Sequence, residues 1–454
     1  MKHSRNRLFG AISSALLAGL ASGAVSSVAF AQEGEADADA AELGRVTVTG
    51  SRISRADIEE ALPVFIIDRE MIDLSGQSSV ADLLRDLPLT NGGNFRPQSG
   101  STGQSFAGAN LRGLGEGRTL ILVDGRRAPI APNFGSAQDL NAIPLGAVER
   151  IEVLSDGASA IYGSDAIGGV INIITRTDFT GAEVSFTQGY PDLEGGAFQN
   201  GYALMGISSD RGQIMAGVSF NKRDIIFQSE RPWSRGGAST FSNNFLTETG
   251  GFLANPQYGS ANTAGCNGPG FSLSNPSTPS ATRCFYDFTL QAADEAESEN
   301  QSGFFRGKYE INDDWTLLLN GSLGRVTSFG RYAPVPSSPW LVGPIGAIVL
   351  SPGLPNHPGT PPSAGGLNPL WEDYQDVAGD LLGLRHRFAA NGPRDTFTDG
   401  QLYDVDIGTI GNIGTNWTVE ARARKTVSQY YETGRNYIVS ALAQPQFDSG
   451  AYNI

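Results

Sequence analysis

Apolar and polar residues alternate along much of the chain after residue 180. In NWTVEARARK every second residue from Trp417 to Ala423 is apolar, and the residues between them are polar or charged. The same period recurs in GQIMAGVSFN, FFRGKYEINDDWTLLLNGSLGRV and LYDVDIGTI, with Leu318 as an exception. Such alternation is typical of β-strands with one polar and one apolar face. The pattern predicts about seven strands, arranged as antiparallel hairpins over residues 181–454.

These hairpins fit two architectures. A soluble β-sandwich also alternates, and each hairpin taken alone is compatible with it. Three observations favour a transmembrane β-barrel: the runs are near the roughly ten residues that a tilted spanning strand needs, short turns alternate with long loops, and Trp315 and Trp417 directly follow short turns. The short turns SSDRG, INDD and GNIGT are then predicted to face the periplasm. The long polar loops at 224–300 and 327–398 would face outward, as binding loops or as solvated filler.

Residues 53–180 have a different, α/β-like pattern. The stretch PVFIIDREMI predicts a strand that ends at Asp68, and TLILVDGRR, VERIEVL and GVINIIT predict three more, with a hairpin turn at Asp124-Gly125. SSVADLLRDLP predicts a helix capped by Ser78 or Ser79. The block is too small and too rich in glycine to resemble an independent enzyme.

The first 31 residues are predicted to be a secretory signal peptide. Three basic residues precede an apolar stretch from Leu8 to Val28, and Ala29-Phe30-Ala31 supplies the small residues that signal peptidase cuts before Gln32. A retained membrane helix is the alternative, but the run is short and broken by serines. No other apolar run reaches about eighteen residues, which excludes a helical membrane protein but not a barrel of alternating strands.

Two segments follow the signal peptide. Residues 32–42 are acidic and poor in apolar side chains, so a disordered leader is predicted. In residues 43–52, two valines alternate with two threonines before a glycine, a composition that favours extended structure. This segment could add as a strand to the sheet edge of another protein, or it could be an ordinary first strand.

The charge balance narrows the possible partners and activities. The chain has 32 basic and 47 acidic side chains, and loss of the signal peptide moves the formal net charge from −15 to about −18. Nucleic acid is excluded as a partner because such a surface repels phosphate. The three histidines show no spacing suited to a metal site. No catalytic serine elbow, phosphate loop or zinc signature is present, so no enzyme, metal or cofactor is predicted.

The two cysteines, Cys266 and Cys284, lie in AGCNGPGFSLSNPSTPSATRCF, a loop rich in glycine, proline and serine. In an exported chain, one disulfide that clamps this loop is predicted. Two free thiols are the alternative.

Several motifs in a fixed order resemble those of TonB-dependent outer-membrane receptors. The stretches are GRVTVTGSRI, LRGLGEGRTLILVDGRR and LNAIPLGAVERIEVLSDGASAIYGSDAIGGVINIITR. Residues 43–52 look like the TonB box of that family, 53–180 like its plug domain, and 181–454 like the first part of its barrel. In the family a barrel of about 22 strands encloses the plug. The resemblance therefore implies a mainly β fold, a small α/β plug followed by antiparallel transmembrane strands, about seven of an expected 22, in a chain that is truncated.

The resemblance also assigns roles to residues. The stretch that pairs with TonB as an added strand would be Val46, Thr47, Val48, Thr49 and Gly50, although Gly44-Arg45 replaces a longer β-branched run. The charged plug positions are Arg112, Arg118, Glu149, Arg150 and Glu152. They are expected to face polar side chains of the barrel wall such as Arg422 or Glu420, and a solvated face is the alternative.

The glycine-rich stretches take their meaning from the same resemblance. The plug glycines are Gly113, Gly125, Gly163, Gly168 and Gly169. In a plug wedged inside a barrel, missing side chains allow close backbone approach and turns that other residues resist.

The resemblance implies a receptor for energy-coupled uptake of a scarce ligand across the outer membrane of a Gram-negative cell. A ferric siderophore, cobalamin or an oligosaccharide would fit the family, and the sequence does not choose among them. TonB, outer-membrane lipid and the small-molecule ligand are the expected partners. The alternative is a truncated plug and partial barrel that acts as a binding or structural module without transport.

Overall fold

The computed structural model of the chain describes residues 64–77, 79–90, 96, 98–101, 103–133, 135, 137–155, 159–176, 179–255, 259–262, 265–274, 279–337, 348–414 and 416–452. Three predicted segments, the signal peptide (1–31), the acidic leader (32–42) and the TonB-box-like segment (43–52), lie outside the described residues. The first described element is a strand at Val64–Ile67, and the last is a helix that ends at Asp448.

A five-stranded sheet is built from the first third of the chain. Its strands are β1 (Val64–Ile67), β2 (Thr119–Val123), β3 (Arg126–Arg127), β4 (Val148–Leu154) and β5 (Gly169–Thr175). The order is β1-β4-β5-β2-β3, and β2 and β5 run parallel while the other neighbours are antiparallel. The central strand β5 is buried on both faces, which explains its nearly unbroken apolar sequence GVINIIT.

Three short helices accompany this sheet: α1 (Arg69–Ser75), α2 (Val80–Arg85) and α3 (Ser159–Tyr162). The Ser79 hydroxyl accepts a hydrogen bond of 3.1 Å from the Asp82 backbone N–H, so Ser79 is the N-cap of α2. The strand expected in PVFIIDREMI ends at Ile67, and Asp68 caps α1, a helix that the pattern did not predict. Ile72 alone of α1 is buried, so its sequence lacks the apolar stripe that marks a helix.

After residue 180 the structure consists mainly of strands. In chain order they are β6 (Gly181–Gly189), β7 (Phe198–Ser209), β8 (Gly212–Arg223), β9 (Ile226–Phe227), β10 (Asn243–Leu246), β11 (Phe271–Leu273), β12 (Cys284–Tyr286), β13 (Ala293–Glu295), β14 (Glu297–Asn312), β15 (Trp315–Tyr332), β16 (Ile348–Leu350), β17 (Leu382–His386), β18 (Arg394–Ile413) and β19 (Trp417–Arg435). A last helix, α4, covers Ser440–Asp448. No helix among the described residues is long and apolar enough to cross a membrane.

Seven of these strands form one antiparallel sheet in the order β19-β18-β15-β14-β8-β7-β6. The predicted mainly β fold with hairpin-connected antiparallel strands is therefore confirmed. The strands are 9 to 20 residues long, and several exceed the expected length of about ten. β14 begins with ESENQS, which is polar on both faces, so the alternation did not reveal this part of the strand. The long connections consequently shrink to 224–296 and 333–393.

The two faces of the seven-stranded sheet differ in character. On β18, Tyr403, Val405 and Ile407 are exposed, whereas Asp406 between them is 4% exposed. Other exposed apolar residues on the same outer face of the sheet include Val184, Phe186, Ile207, Ile214 and Trp417. The polar inner face lies against the five-stranded sheet. The burial of the two faces thus reproduces the alternation seen in the sequence.

The long connections and the segment after β19 pack together at the end of the sheet opposite its short turns. We call the described residues within 224–296, 333–393 and 436–452 the loop domain. A three-stranded sheet, β10-β17-β16, forms its centre. Its core joins Phe245 from the first connection, Tyr374 and Phe388 from the second, and Phe447 of α4.

Candidate functional site

The turn between β2 and β3 is the part of the five-stranded sheet that reaches the inner face of the larger sheet. Asp124 and Gly125 have φ angles of 48° and 75°, so both adopt the left-handed conformation of a tight hairpin turn, as the Asp-Gly pair predicts. The Asp124 carboxylate accepts hydrogen bonds from the Thr175 backbone N–H (2.9 Å) and hydroxyl (3.1 Å), and the Gly125 N–H donates to Asn172 Oδ1 (2.9 Å). These bonds fix the turn to β5.

Charged side chains join this hairpin to three strands of the larger sheet. Arg306 of β14 pairs with Asp124, and Arg126 pairs with Glu420 of β19. Arg126 Nη1 also lies 3.8 Å from Asp406 Oδ2 of β18. In addition, Arg424 Nη1 donates a 2.7 Å hydrogen bond to the Arg127 backbone carbonyl. We call these residues the hairpin cluster: Asp124, Arg126, Arg127, Arg306, Asp406, Glu420 and Arg424.

The hairpin-cluster residues on the seven-stranded sheet are held in place by contacts with other residues of that sheet. Asp406 Oδ1 accepts hydrogen bonds from Arg422 (2.6 Å) and Asn320 (3.0 Å). Arg424 forms a two-pronged pair with Asp404, at 2.8 and 2.9 Å. A cavity of about 260 Å³ lies between the hairpin and these strands, lined mainly by charged and polar residues. The cluster is thus preorganised but not tightly packed.

A second charged cluster lies nearer the loop domain. Arg96 bridges Asp82 of α2 (2.5 Å) and Glu295 of β13 (2.9 Å), and Arg85 also pairs with Asp82 (2.8 Å). Burial alone would raise the pKa of the Asp82 carboxyl, but the positive charges of Arg96 and Arg85 outweigh it and lower that pKa to about 2. Asp82 is therefore charged at any physiological pH. We call Asp82, Arg85, Arg96 and Glu295 the apex cluster.

Uncharged contacts add to this attachment. Gln98 forms an isolated β-bridge with Glu295, and the Ser99 N–H donates to the Asp294 carbonyl (3.1 Å). Gln104 Nε2 donates to the Thr396 carbonyl of β18 (2.9 Å). The five-stranded domain is thus tied to the loop domain by the apex cluster, and to the seven-stranded sheet by the hairpin cluster and by Gln104.

The charged residues that the resemblance selected lie elsewhere. Arg112 donates to the carbonyls of Gly168 (3.2 Å) and Ile167 (2.8 Å), within its own domain. Arg150 pairs with Glu152 at 2.9 Å, and Glu152, a residue of β4 itself, is fully buried. Arg118 and Glu149 are exposed. The hydrogen bonds of Arg112 and the Arg150–Glu152 pair lie within the smaller domain, and the expected contact of the charged plug positions with the barrel wall stays a prediction.

One of the two expected wall residues does meet this domain, through a different partner. Glu420 pairs with Arg126, which sequence reasoning did not select. The missed signal was two consecutive arginines directly after a hairpin turn. Neighbouring strand residues point to opposite faces. Arg126 accordingly reaches the wall, while the Arg127 side chain donates to Asp165 (2.5 Å) in its own domain.

The five glycines serve different needs. Gly113, Gly125 and Gly163 have positive φ angles of 70°, 75° and 87°, and they allow turns. A Cβ atom on Gly168 would lie 2.8 Å from the Arg118 carbonyl oxygen, and one on Gly169 would lie 2.6 Å from the Leu154 carbonyl oxygen. The close backbone approach therefore exists at Gly168 and Gly169. The approaching backbone belongs to the same small domain and not to the wall.

The cysteines and the acidic groups complete the survey of sequence candidates. Cys266 and Cys284 are joined by a disulfide with a Cα–Cα distance of 5.9 Å. Across the described ranges, no group of three or more His, Cys, Asp or Glu side chains is arranged to hold a metal ion.

The position of Asp139 predicts that the stability of the small domain depends on pH. Its carboxylate caps the turn at Leu140–Ala142 by accepting from the Asn141 N–H (3.0 Å), and the Asn141 carbonyl accepts from Asn300 of β14 (2.7 Å). Burial raises the pKa of Asp139 to about 6, against the opposing effect of the hydrogen bonds from Asn141. The folded state thus prefers the protonated form. The free energy of unfolding of the small domain should therefore fall as pH rises from about 4 to 6.

Asp139→Asn should remove this loss, because the amide oxygen still caps the turn without carrying charge. We expect the variant to be more stable by roughly 1–2 kcal/mol at pH 8 and unchanged at pH 4. Urea unfolding followed by protease resistance at both pH values measures the difference. Asp139→Ala is the control and should be less stable than Asp139→Asn at both pH values, since it also removes the cap. An equal effect of Asp139→Asn at both pH values would contradict the prediction.

Comparison with known proteins finds a family model that matches the small domain. The family model described as TonB-dependent Receptor Plug Domain matches residues 56–170. The chain is similar to the siderophore receptor PirA from Acinetobacter baumannii, at 16% identity and a TM-score of 0.39, over 82% of this chain and 45% of that chain. It is also similar to a mutant of the ferric enterobactin receptor PfeA from Pseudomonas aeruginosa in complex with enterobactin, at 16% identity and a TM-score of 0.40, over 83% and 56%. The chain spans about half the length of these two proteins.

The matched range contains β1 to β4, the hairpin between β2 and β3, and the glycine-rich entry into β5. Strands β1 to β4 and the hairpin residues Asp124, Arg126 and Arg127 therefore lie within the matched range. Residues 56–170, which form most of the small domain, thus match the model of the TonB-dependent receptor plug domain.

Proposed function

We propose that the chain is an outer-membrane receptor that couples TonB to the uptake of a scarce small-molecule ligand in a Gram-negative cell. The observation that carries the proposal is the seating of a plug domain against the polar face of a sheet whose other face is apolar and exposed. Exposed apolar side chains on that scale cost free energy in water, but they would be favourable against lipid. The proposal describes a transporter and not an enzyme.

The proposed ligand belongs to the classes that such receptors admit: a ferric siderophore, cobalamin or an oligosaccharide. The similar structures PirA and PfeA are named as a siderophore receptor and a ferric enterobactin receptor, which makes a ferric siderophore the first to test. The loop domain would face the cell exterior and meet the ligand first. The signal peptide at residues 1–31 would direct export.

The proposed partner on the inner side is TonB, which would pair with Val46 to Gly50 as an added strand. Pulling there would act on β1, the strand that follows in the chain. Among the described strands, the four-residue β1 lies at one edge of the sheet and pairs with β4 alone, whereas the hairpin cluster lies at the opposite edge of the plug sheet. Traction would therefore open the sheet at β1 before it breaks the contacts of β3.

Val48→Pro tests this role of the segment. Proline removes the backbone N–H that an added strand uses, so we expect uptake of radiolabelled ferric enterobactin, cyanocobalamin or maltodextrin, whichever the wild type imports, to fall to background. Val48→Ala is the matched control and should retain uptake, because it keeps the N–H. Both variants should reach the outer membrane as heat-modifiable protein. Full uptake by Val48→Pro would refute the coupling role, and binding without uptake by the wild type would favour a binding module.

A further inference from the structure

Two arginines of the loop domain converge on one aromatic ring. The guanidinium carbon of Arg283 lies 4.1 Å from the centre of the Phe252 ring, and that of Arg385 lies 4.6 Å from the same point. Arg385 also lies over Phe241, at 4.8 Å. Both of the Phe252 distances are measured to the same ring centre. The two guanidinium carbons can therefore be no further apart than 4.1 Å and 4.6 Å added together. Ring faces attract cations, so the aromatic residues hold two positive groups close together.

Acidic side chains do not balance this pair of charges. Within the described part of the chain, no salt bridge joins Arg283 or Arg385 to a carboxylate. The sequence segments 256–258, 263–264, 275–278 and 338–347 contain neither Asp nor Glu. Burial lowers the pKa of Arg385, and the positive charge of Arg283 lowers it further. The charged group that shifts the pKa of Arg385 is thus a like charge.

Arg387, a neighbouring arginine of the same domain, has a structural role, because its side chain is hydrogen-bonded to other residues of the domain. Arg387 donates from Nε to the Phe241 carbonyl (2.8 Å), from Nη1 to the Pro334 carbonyl (2.9 Å) and from Nη2 to the Ser239 hydroxyl (2.9 Å). Arg385 donates from Nη1 to the Thr240 hydroxyl (3.1 Å), and its buried Nε has no hydrogen-bond partner among the described residues. Arg385 therefore donates from one of its three side-chain nitrogens, whereas Arg387 donates from all three.

Rigid supports place both arginines. Arg283 directly precedes Cys284 of the disulfide. Its backbone N–H donates to the hydroxyl of Ser274, the residue after β11 (2.9 Å), and its carbonyl accepts from the Ser274 N–H (2.8 Å). Arg385 lies on β17, the central strand of the loop-domain sheet, opposite Asn244. Its neighbour Leu384 points into the apolar core, so Arg385 stands on the other face. Both side chains are half-buried and remain open to solvent.

We propose that Arg283 and Arg385 form a binding site for an oxyanion, a carboxylate or phosphate group carried by a molecule outside the cell. Two guanidinium groups present forked donors that match the oxygens of such a group, and a bound anion would relieve the repulsion between them. Preorganisation by the disulfide and by β17 lowers the entropic cost of binding. A dissolved polycarboxylate or phosphate and the phosphate of a lipid headgroup share this chemistry. The outward position of the site rests on the proposed function, but the binding itself does not require transport.

Calorimetric titration of the purified full chain in detergent, without TonB, tests the site. The probes are citrate, inorganic phosphate and phosphatidic acid in mixed micelles. We expect saturable binding of at least one probe, weakened by added salt, and a loss of at least tenfold in affinity in Arg283→Gln and in Arg385→Gln. Arg385→Lys should fall between, because it keeps the charge but loses the fork. Arg235→Gln is the control. It removes the same charge from an exposed residue of the same domain, and this variant should bind the probes as the wild type does.

A second measurement needs no variant and so does not depend on folding. The probe that binds should slow the modification of Arg283 and Arg385 by phenylglyoxal in the wild-type chain, while the exposed Arg235 reacts at an unchanged rate. Competition between citrate and phosphatidic acid would assign both sources to one site, and binding of phosphatidic acid alone would assign the lipid. Absence of saturable binding for all three probes, or equal binding by the double variant, would overturn the proposal. Neither result bears on uptake, which Val48→Pro tests separately.

Discussion

Gly169→Ala should unfold the plug sheet at much lower denaturant concentrations than the wild type requires. Gly169 opens β5 with a φ angle of 134°, which L-residues rarely adopt. An added Cβ atom would lie 2.6 Å from the Leu154 carbonyl oxygen and 2.7 Å from Leu111 Cδ1, and both neighbours belong to the buried core. Backbone strain and overpacking together should lower the free energy of unfolding of the plug by about 2–5 kcal/mol.

Hydrogen exchange of the amides in β2, β4 and β5 measures this loss in the full chain, because these strands share the Gly169 junction. Gly76→Ala is the matched control. Gly76 also has a positive φ angle, 65°, at the end of α1, but a Cβ atom there would meet open space. The control should lose only about 1 kcal/mol. Equal losses in the two variants would show that the contact with Leu154 does not matter.

Removing the Arg126 side chain should weaken the attachment of the plug to the seven-stranded sheet without unfolding the plug. Arg126 pairs with Glu420 and lies near the buried Asp406, so Arg126→Ala leaves two carboxylates with one fewer positive neighbour. Arg126 and Glu420 are about one-third and two-fifths exposed, so solvent screens much of their attraction. We expect a coupling free energy of about 1 kcal/mol between Arg126→Ala and Glu420→Ala in a double-mutant cycle.

The readout is the protease susceptibility of the β2–β3 turn in the full chain at increasing urea. High salt should reduce the coupling, because partly exposed charges are screened. Arg127→Ala is the control: its side chain bonds Asp165 and the Tyr162 carbonyl within the plug, so it should show no coupling to Glu420→Ala. A coupling of the same size for Arg127 would mean that the measurement reports general charge and not this contact.

The two charged clusters suggest why the plug can be both seated and movable. Ion pairs that are partly exposed contribute little free energy each, and the cavity beside the hairpin cluster leaves room for the side chains to part. The main apolar cluster of the plug, in contrast, consists of residues of the plug alone among those the structure describes. Charged contacts such as the Arg126–Glu420 pair attach this domain to the sheet, and the proposed uptake requires such contacts to part.

Local features of this fold could be predicted from the sequence because neighbouring residues determine them. The alternation from Trp417 to Ala423 predicted a strand with two different faces, and Asp124-Gly125 predicted a tight hairpin turn. Both are found in the structure. The glycines at 168 and 169 predicted a close backbone approach, which is also present. Helix α1 escaped prediction, since a single buried residue leaves no periodic pattern.

The sequence by itself determined the β-strands, their faces, the turns and the order of plug and sheet, since each depends on a short stretch of residues and its period. Only the tertiary structure decided which charges meet. Glu152 became buried inside the plug, while Arg126, 26 positions earlier, reached Glu420 almost three hundred positions away. Such pairs depend on the register of strands that are distant in sequence, and a charged side chain carries no local sign of the partner that the fold brings to it.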